Sequence, residues 1–183
     1  MDKSAADIKF NKNNICNFCN DFKKNYKANL KKNLGKLIDK IKNENKNNEY
    51  DCAVALSGGV DSCWALVKVV ELGIKPLVIH LDNGWNSKLA QTNIYNLVNN
   101  LKLDLETYVI DWEEYRSLMD SFFKANVIDI ELLMDNAMVG ANFKIANKHS
   151  LKYIISGFNQ ATEGISIPKN WNWFKKDKKN IKN

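Results

Sequence analysis

Apolar positions change their spacing at Tyr50, and the change separates two kinds of sequence. Before it, Leu30, Leu34, Leu37, Ile38 and Ile41 recur every three or four residues on a Lys/Asn background. That spacing predicts a helix within 21–47. Residues 1–20 are polar and predict irregular backbone, and the Asn-rich 43–48 predicts a loop. After Tyr50, short apolar runs alternate with helical stripes. Residues 50–56, 75–81, 105–110 and 152–156 read as buried strands. Helices are predicted over 61–72, 87–101, 129–149, and from a cap at Asp111 to Lys124. Strand–helix alternation of this kind implies an α/β fold, a parallel sheet with helices on both faces. Ligands of such sheets bind at the carboxyl ends of strands, near a switch point. The segments there are 57–62, 80–87, 110–112 and 156–164.

Charge follows the same division. The net charge of +6 is the sum of +7 over 1–48, −6 over 49–163 and +5 over 164–183. The basic excess therefore lies in the ends. Only one of the 27 basic residues, Arg116, is an arginine, the residue of bidentate phosphate and base recognition. The Lys/Asn texture reads as solvated surface, and nucleic acid is not the expected partner. At 183 residues the chain has room for one ordinary domain. No apolar run reaches the roughly 18–20 residues of a membrane helix, and the N-terminus has no apolar signal core, so a cytoplasmic protein without membrane contact is expected. The four cysteines do not make a disulfide framework.

The strongest chemical signal is Ser57-Gly58-Gly59-Val60-Asp61-Ser62, between a predicted strand and a predicted helix. Six such residues in order arise by chance in roughly one chain in 10^5. The glycines admit an anion to backbone N–H groups, and the following helix offers unpaired N–H groups and the positive end of its dipole. The alternative is a tight strand-to-helix turn. A phosphate loop of the Walker type ends in Gly-Lys-Ser/Thr. Here Asp61 replaces such a lysine, and a carboxylate beside phosphates implies Mg²⁺ between them.

Two more segments lie at strand ends, and two polar residues lie in a helix. His80-Leu81-Asp82-Asn83-Gly84-Trp85-Asn86-Ser87 is either a turn or a binding loop. His80 reads as a half-buried strand residue more than as a base. Gly157-Phe158-Asn159-Gln160-Ala161-Thr162-Glu163-Gly164 brings a second carboxylate, Glu163, which would stand near Asp61 if both loops face one crevice. Asp135 and Asn142 lie in the 129–149 helix, Asp135 in an otherwise apolar stretch; they face either a substrate or solvent.

The six-residue loop resembles that of the N-type ATP pyrophosphatases, which cut ATP between the α and β phosphates. The order of all the segments, with Cys16-x-x-Cys19 ahead and Pro168-Lys169-Asn170-Trp171 behind, resembles the N-acetyl-sugar amidotransferase family over residues 8–183. The resemblance implies an adenine-nucleotide α-hydrolase-like fold over 49–164. An N-terminal Cys-x-x-Cys segment and helix would occupy 1–48, and 165–183 would begin a C-terminal region. It implies ATP and Mg²⁺, with Ser57, Gly58, Gly59, Val60, Asp61 and Ser62 on pyrophosphate, and Asp61 and Glu163 on the metal. His80, Asp82, Asn83 and Trp85 would line the adenosine side, and Gly157, Asn159 and Thr162 would close the nucleotide site. Asp135 and Asn142 would face the sugar. Asp61, Ser62 and Glu163 would carry catalysis. The partners implied are an N-acetyl sugar, for surface-polysaccharide or flagellin glycans, and a glutaminase with an ammonia-channelling synthase.

Members of that family carry an earlier cysteine pair and continue beyond the position of Asn183, so the resemblance implies a piece of a longer polypeptide. Cys16 and Cys19 supply two of the four ligands of a structural zinc, and no zinc is expected to be held by this chain alone. The rival readings are a tRNA-thiolating enzyme with the same loop and a non-catalytic ATP-binding fragment. Amide-forming synthetases of the NAD, GMP or asparagine type share the loop but not the 82–87 stretch.

Overall fold

The computed structural model describes residues 1–30 and 33–171. They form two compact units, Met1–Asn33 with Asn159–Asn183, and Leu34–Phe158. The Lys-rich stretch from residue 175, read as the middle of a helix, lies outside the described residues.

The larger unit holds four parallel strands in the order β3-β2-β1-β4. They are β1 (Cys52–Ala55), β2 (Pro76–Asp82), β3 (Leu105–Val109) and β4 (Ile154–Ile155). Each predicted strand is present: β1, β3 and β4 are trimmed, β2 runs one residue further to Asp82, and β3, expected to be buried, alternates exposed and half-buried residues because it lies at the sheet edge. Val54 pairs with Val78 and Ile155, so the central strand is apolar toward both neighbours. The pleat sends alternate residues to opposite faces. Cys52, Val54, Leu56 and Val78 pack with Leu66 and Val69 of α3 (Val60–Glu71), Ile94 of α4 (Lys88–Leu101) and Ile41 of α2 (Leu34–Glu44). Ala53, Leu77 and Ile79 pack on the other side with Ile145 and Ala146 of α6 (Leu132–Lys148). The sheet is thus covered on both faces, as the alternation predicted. α5 (Trp112–Lys124) contributes no buried residue.

The helix expected within 21–47 is two helices, α1 (Asn17–Leu30) and α2. They divide by what they can bury. The stripe that reaches a core is in α2, where Ile41 is buried and Ile38 packs beside it. α2 therefore belongs to the sheet unit, and the boundary expected at 48/49 falls ahead of it. α1 also begins earlier than predicted, directly after Cys16.

In the smaller unit the two ends of the chain meet. Asn170 Nδ2 donates to the Ser4 carbonyl at 2.7 Å, and Trp171 Nε1 donates to Ser4 Oγ at 3.0 Å. Asn11 Oδ1 receives the N–H groups of Asn13 and Ile15, which turns the chain back so that Phe10 pairs with Cys16. Among the described residues no helix is long and apolar enough to cross a membrane.

Candidate functional site

The chain runs β1, α3, β2, α4, β3 in one direction across the sheet, with both helices on one face. It then returns through α6 on the other face to place β4 on the far side of β1. The switch point is therefore between the carboxyl ends of β1 and β4, where open α/β sheets bind ligands. The 57–62 loop leaves β1 there.

Its conformation follows from its residues. Gly58 has φ +80°, and a Cβ on it would lie 2.4 Å from the Ala90 carbonyl oxygen at the start of α4. Only glycine fits both conditions. Asn93 Nδ2, one turn along α4, donates to the Gly58 carbonyl at 2.9 Å and holds the loop on that helix. Ser62 Oγ donates to the Gly59 carbonyl at 3.0 Å and accepts the Ser57 N–H at 3.2 Å. A hydroxyl has one proton, so across the 3.0 Å Ser57–Ser62 contact Ser57 is the donor. Both hydroxyls are turned into the loop. Rotation about the Ser57 Cα–Cβ or Cβ–Oγ bond redirects this hydroxyl as a hydrogen-bond donor.

Gly59, extended at φ −76° and ψ 161°, precedes α3, and no side chain caps that helix. Its first N–H groups face the loop with the positive end of the helix dipole. Asp61 lies in the first turn with its side chain exposed. From the opposite side β4 ends at Ser156-Gly157. A Cβ on Gly157 would lie 2.5 Å from Ser62 N and 2.7 Å from Ser62 Cα. The backbone after β4 is thus pressed on the first turn of α3, and glycine is the residue that permits it.

Beside the loop stands the end of β2. His80 is buried at 8% exposure. Its Nδ1 lies 2.9 Å from the Leu56 carbonyl, the last residue before the loop, and its Nε2 lies 3.2 Å from Asn86 Nδ2. A carbonyl only accepts, so Nδ1 carries the proton and Nε2 accepts from Asn86. His80 is a tie between two strand ends, with both nitrogens engaged. Asp82 Oδ1 receives the Gly84 N–H and Asn83 Oδ1 the Trp85 N–H, each at 2.9 Å. Asn83 Nδ2 contacts Met134 Sδ of α6 at 3.6 Å. Trp85 is 68% exposed.

Asp135 lies in the first turn of α6, next to Met134 and so at the same edge. Asn142 lies seven residues further on, about 10 Å along the axis and away from that edge. Gln160–Glu163 is a short helix, α7, in the smaller unit. Asn159 Oδ1 caps it through the Ala161 N–H at 3.0 Å, and Thr162 and Glu163 are exposed there. Among the described residues no three His, Cys, Asp or Glu groups gather as a metal site. Cys16 precedes α1, and its sulfur receives the Cys19 N–H at 3.4 Å. That bond holds the Cys16 thiol below its ordinary pKa, while its contact with Cys16 raises Cys19.

Ala90 and Asn93, which the sequence did not single out, seat the loop on α4. Asn86, inside the 80–87 segment, holds His80 Nε2, and Trp112, inside the 110–112 segment, stands at the third strand end. Asn93 sits in an Asn-rich chain, where one more asparagine carries no signal.

No protein-family model and no curated protein matches the chain. Solved structures similar to it include three synthetases. An NMN synthetase from Francisella tularensis has a TM-score of 0.50 and 18% identity over 64% of this chain and 50% of its own. An NH3-dependent NAD synthetase from Campylobacter jejuni, in complex with nitrate, has a TM-score of 0.50 and 18% identity over 69% and 56%. A glutamine-dependent NAD+ synthetase from Acinetobacter baumannii, in complex with ADP, has a TM-score of 0.54 and 15% identity over 68% and 25%. The chain spans about half the length of the first two and a quarter of the third. At such identities the likeness is one of fold, and the fold is the parallel, helix-flanked sheet of the PP-loop adenine-nucleotide α-hydrolases.

Proposed function

We propose that this chain carries the ATP site of a PP-loop amidotransferase, which adenylates the amide oxygen of an N-acetyl sugar and passes the activated carbon to ammonia. The observation that carries the reading is the 57–62 loop. Two serine hydroxyls and an uncapped helix N-terminus converge at the switch point, closed from the β4 side by Gly157. That arrangement suits a pyrophosphate leaving group. The neighbour bound to ADP supports a nucleotide in this fold.

In the proposed step the amide oxygen forms a bond to the α phosphorus, and the bond from that phosphorus to the bridging oxygen breaks. Pyrophosphate leaves into the loop. Ammonia then adds to the imidate carbon, AMP departs with the former amide oxygen, and an amidine forms as a proton is lost. The amide oxygen attacks without losing a proton, so the first step needs no base. Ser57, Gly58, Gly59, Val60 and Ser62 hold pyrophosphate. Asp61 would hold Mg²⁺, whose charge would neutralise the phosphates; Mg²⁺ is commonly bound by one or two carboxylates together with phosphate oxygens, and Asp61 is such a carboxylate at the loop. Asp82, Asn83 and Trp85 face adenosine, and His80 keeps their strand end in place. Asp135 faces the acceptor. Ammonia comes from a partner glutaminase through a synthase. Cytoplasmic ATP places the reaction in the cytoplasm.

The test is product analysis with ATP-Mg²⁺, ammonium and a panel of N-acetyl sugars. AMP and pyrophosphate that form only with a sugar are the expected result. ADP overturns the pyrophosphatase reading. AMP that forms only with tRNA points to the thiolase, and AMP with the carboxylate precursor of NAD points to the synthetases that share the fold. Asp61→Ala is expected to abolish Mg²⁺-dependent ATP binding with the melting temperature unchanged; unaltered ATP affinity in that variant sinks the loop assignment.

A further inference from the structure

The carboxyl edge of the sheet carries a second feature, beyond the phosphate loop. Three rings stand in a row on the β2–β3 side. Trp85 lies 5.9 Å from Trp112, centroid to centroid, and Trp112 lies 5.9 Å from Tyr115. Their planes are tilted by 51° and 49°. Trp112 is 46% exposed although it begins a helix that follows directly from a strand end.

The wall is held from behind. Asp111 Oδ1 caps α5 through the Glu114 N–H at 3.0 Å, which sets the turn that carries Trp112 and Tyr115. Gly84, at φ +75°, lets the β2 loop pass against Trp112 Cε3. Strand spacing puts β3 about 10 Å from β1, so the outer rings are within a small molecule's reach of the phosphate loop.

The surroundings select the occupant. Glu113 and Glu114 share the first turn of α5 with Trp112 and Tyr115, and burial, then the Glu131 charge, raise the Tyr115 phenol above its ordinary range. A negative edge repels a phosphate or carboxylate on the ligand and accepts hydrogen bonds from hydroxyls. The π faces are negative and attract weakly positive C–H bonds. Planes tilted by about 50° cannot sandwich one flat heterocycle. They offer separate faces to a puckered ring bearing C–H groups on one side and hydroxyls on its rim.

We propose that Trp112 and Tyr115 form the acceptor subsite, which holds the neutral pyranose ring of the acetamido sugar by its C–H face and discriminates against acceptors with an anionic ring. Trp85 divides this subsite from the adenosine side. The proposal rests on the adenylation reading above.

Saturation-transfer NMR on the whole chain tests it, with N-acetyl-D-glucosamine and the anionic N-acetylneuraminic acid as probes. Calorimetry follows ATP-Mg²⁺ and tripolyphosphate-Mg²⁺ separately. The ring protons of N-acetylglucosamine are expected to receive saturation, and N-acetylneuraminic acid is expected to bind more weakly. Trp112→Ala should weaken the neutral sugar about 3- to 10-fold, with Trp112→Phe restoring most of it. Neither variant should change the affinity for tripolyphosphate or ATP. Absence of transfer, a preference for the anionic sugar, or unchanged sugar affinity in Trp112→Ala overturns the subsite. A variant that loses ATP affinity but keeps tripolyphosphate shows an adenine platform and also overturns it. Wild-type protein that binds the sugar but not ATP-Mg²⁺ supports the subsite and overturns the adenylation reading.

Discussion

Single glycines in this site do different jobs, and the geometry separates them. Gly157 has backbone of α3 at 2.5 Å from where a Cβ would stand, whereas the nearest atom to a Cβ on Gly59 is Ser57 Oγ at 3.5 Å. Gly157→Ala must therefore move β4 or α3, while Gly59→Ala needs no shift and keeps an ordinary extended φ. The expectation is a melting temperature lowered by several degrees and ATP-Mg²⁺ affinity reduced more than tenfold for Gly157→Ala, since a displacement of about 1 Å in a positioned site commonly costs that much. Gly59→Ala should melt with the wild type. Equal melting temperatures in the two variants would show that Gly157 is not wedged. Titratable residues away from the site also carry tests. Burial, then its bond to Asp104, pushes the Tyr50 phenol from 10.0 to about 12. A raised folded-state pKa means the contribution to stability is complete below about pH 10 and fades as pH rises through about 12. Absorbance at the phenolate band should show a late-titrating tyrosine that Tyr50→Phe removes, beside the upward-shifted Tyr115 and Tyr153, which remain. Burial likewise lifts Cys52 to about 12, so native protein at pH 8 should resist thiol reagents at Cys52, as peptide mapping would report.

Elements are stable here in proportion to what they bury. Leu66 of α3 is fully buried against Val54 and Val78, in the helix that carries Asp61 and Ser62. Leu66→Ala should destabilise the protein by about 3 kcal/mol, within the 2–5 kcal/mol usual for such cavities, and denaturant melts measure it. A loss below about 1 kcal/mol would mean that α3 is not anchored by this side chain. The same logic explains which elements could be read in advance. β1, α3, β2 and α4 each have an apolar run or stripe bounded by Gly58, Gly73 or Gly84 or by the Ser87 cap, and their limits were legible to within a residue or two. The division of 21–47 into α1 and α2 was not, because one stripe of leucines and isoleucines does not say which part of it finds a core. Asp111 announced α5, whose backbone cap is local. His80–Leu56 and Asn93–Gly58 were not legible, because each joins elements that only the folded sheet brings together. The loop itself was readable because its chemistry lies in consecutive residues; its seating on α4 was not.

On the scale of the whole chain, charge is the property that separates the rival functions. Association with tRNA gains its affinity from phosphate neutralisation by Lys and Arg, and that gain falls steeply with salt. Residues 49–163, which contain the sheet and its phosphate loop, sum to −6, and Arg116 is the single arginine. The basic residues lie in 1–48 and 164–183, interleaved with asparagines. A polyanion could thus be attracted to the ends of the sequence, but its approach to the 57–62 loop is opposed by the net charge of residues 49–163, which carry the loop. A single neutral sugar meets no such opposition. Bulk tRNA is therefore expected to bind weakly at 50 mM salt and to be released by about 200 mM, where phosphate-driven complexes have lost several orders of magnitude. Throughout that range it should leave AMP formation with the sugar unchanged. Filter binding and AMP release, followed in parallel across the titration, measure both. Retention of tRNA at 200 mM salt, together with AMP that appears only when tRNA is present, would overturn the charge argument and with it the choice of a neutral acceptor. Loss of tRNA at an unchanged rate of sugar-dependent AMP release would show that the basic ends serve the surface and not the site.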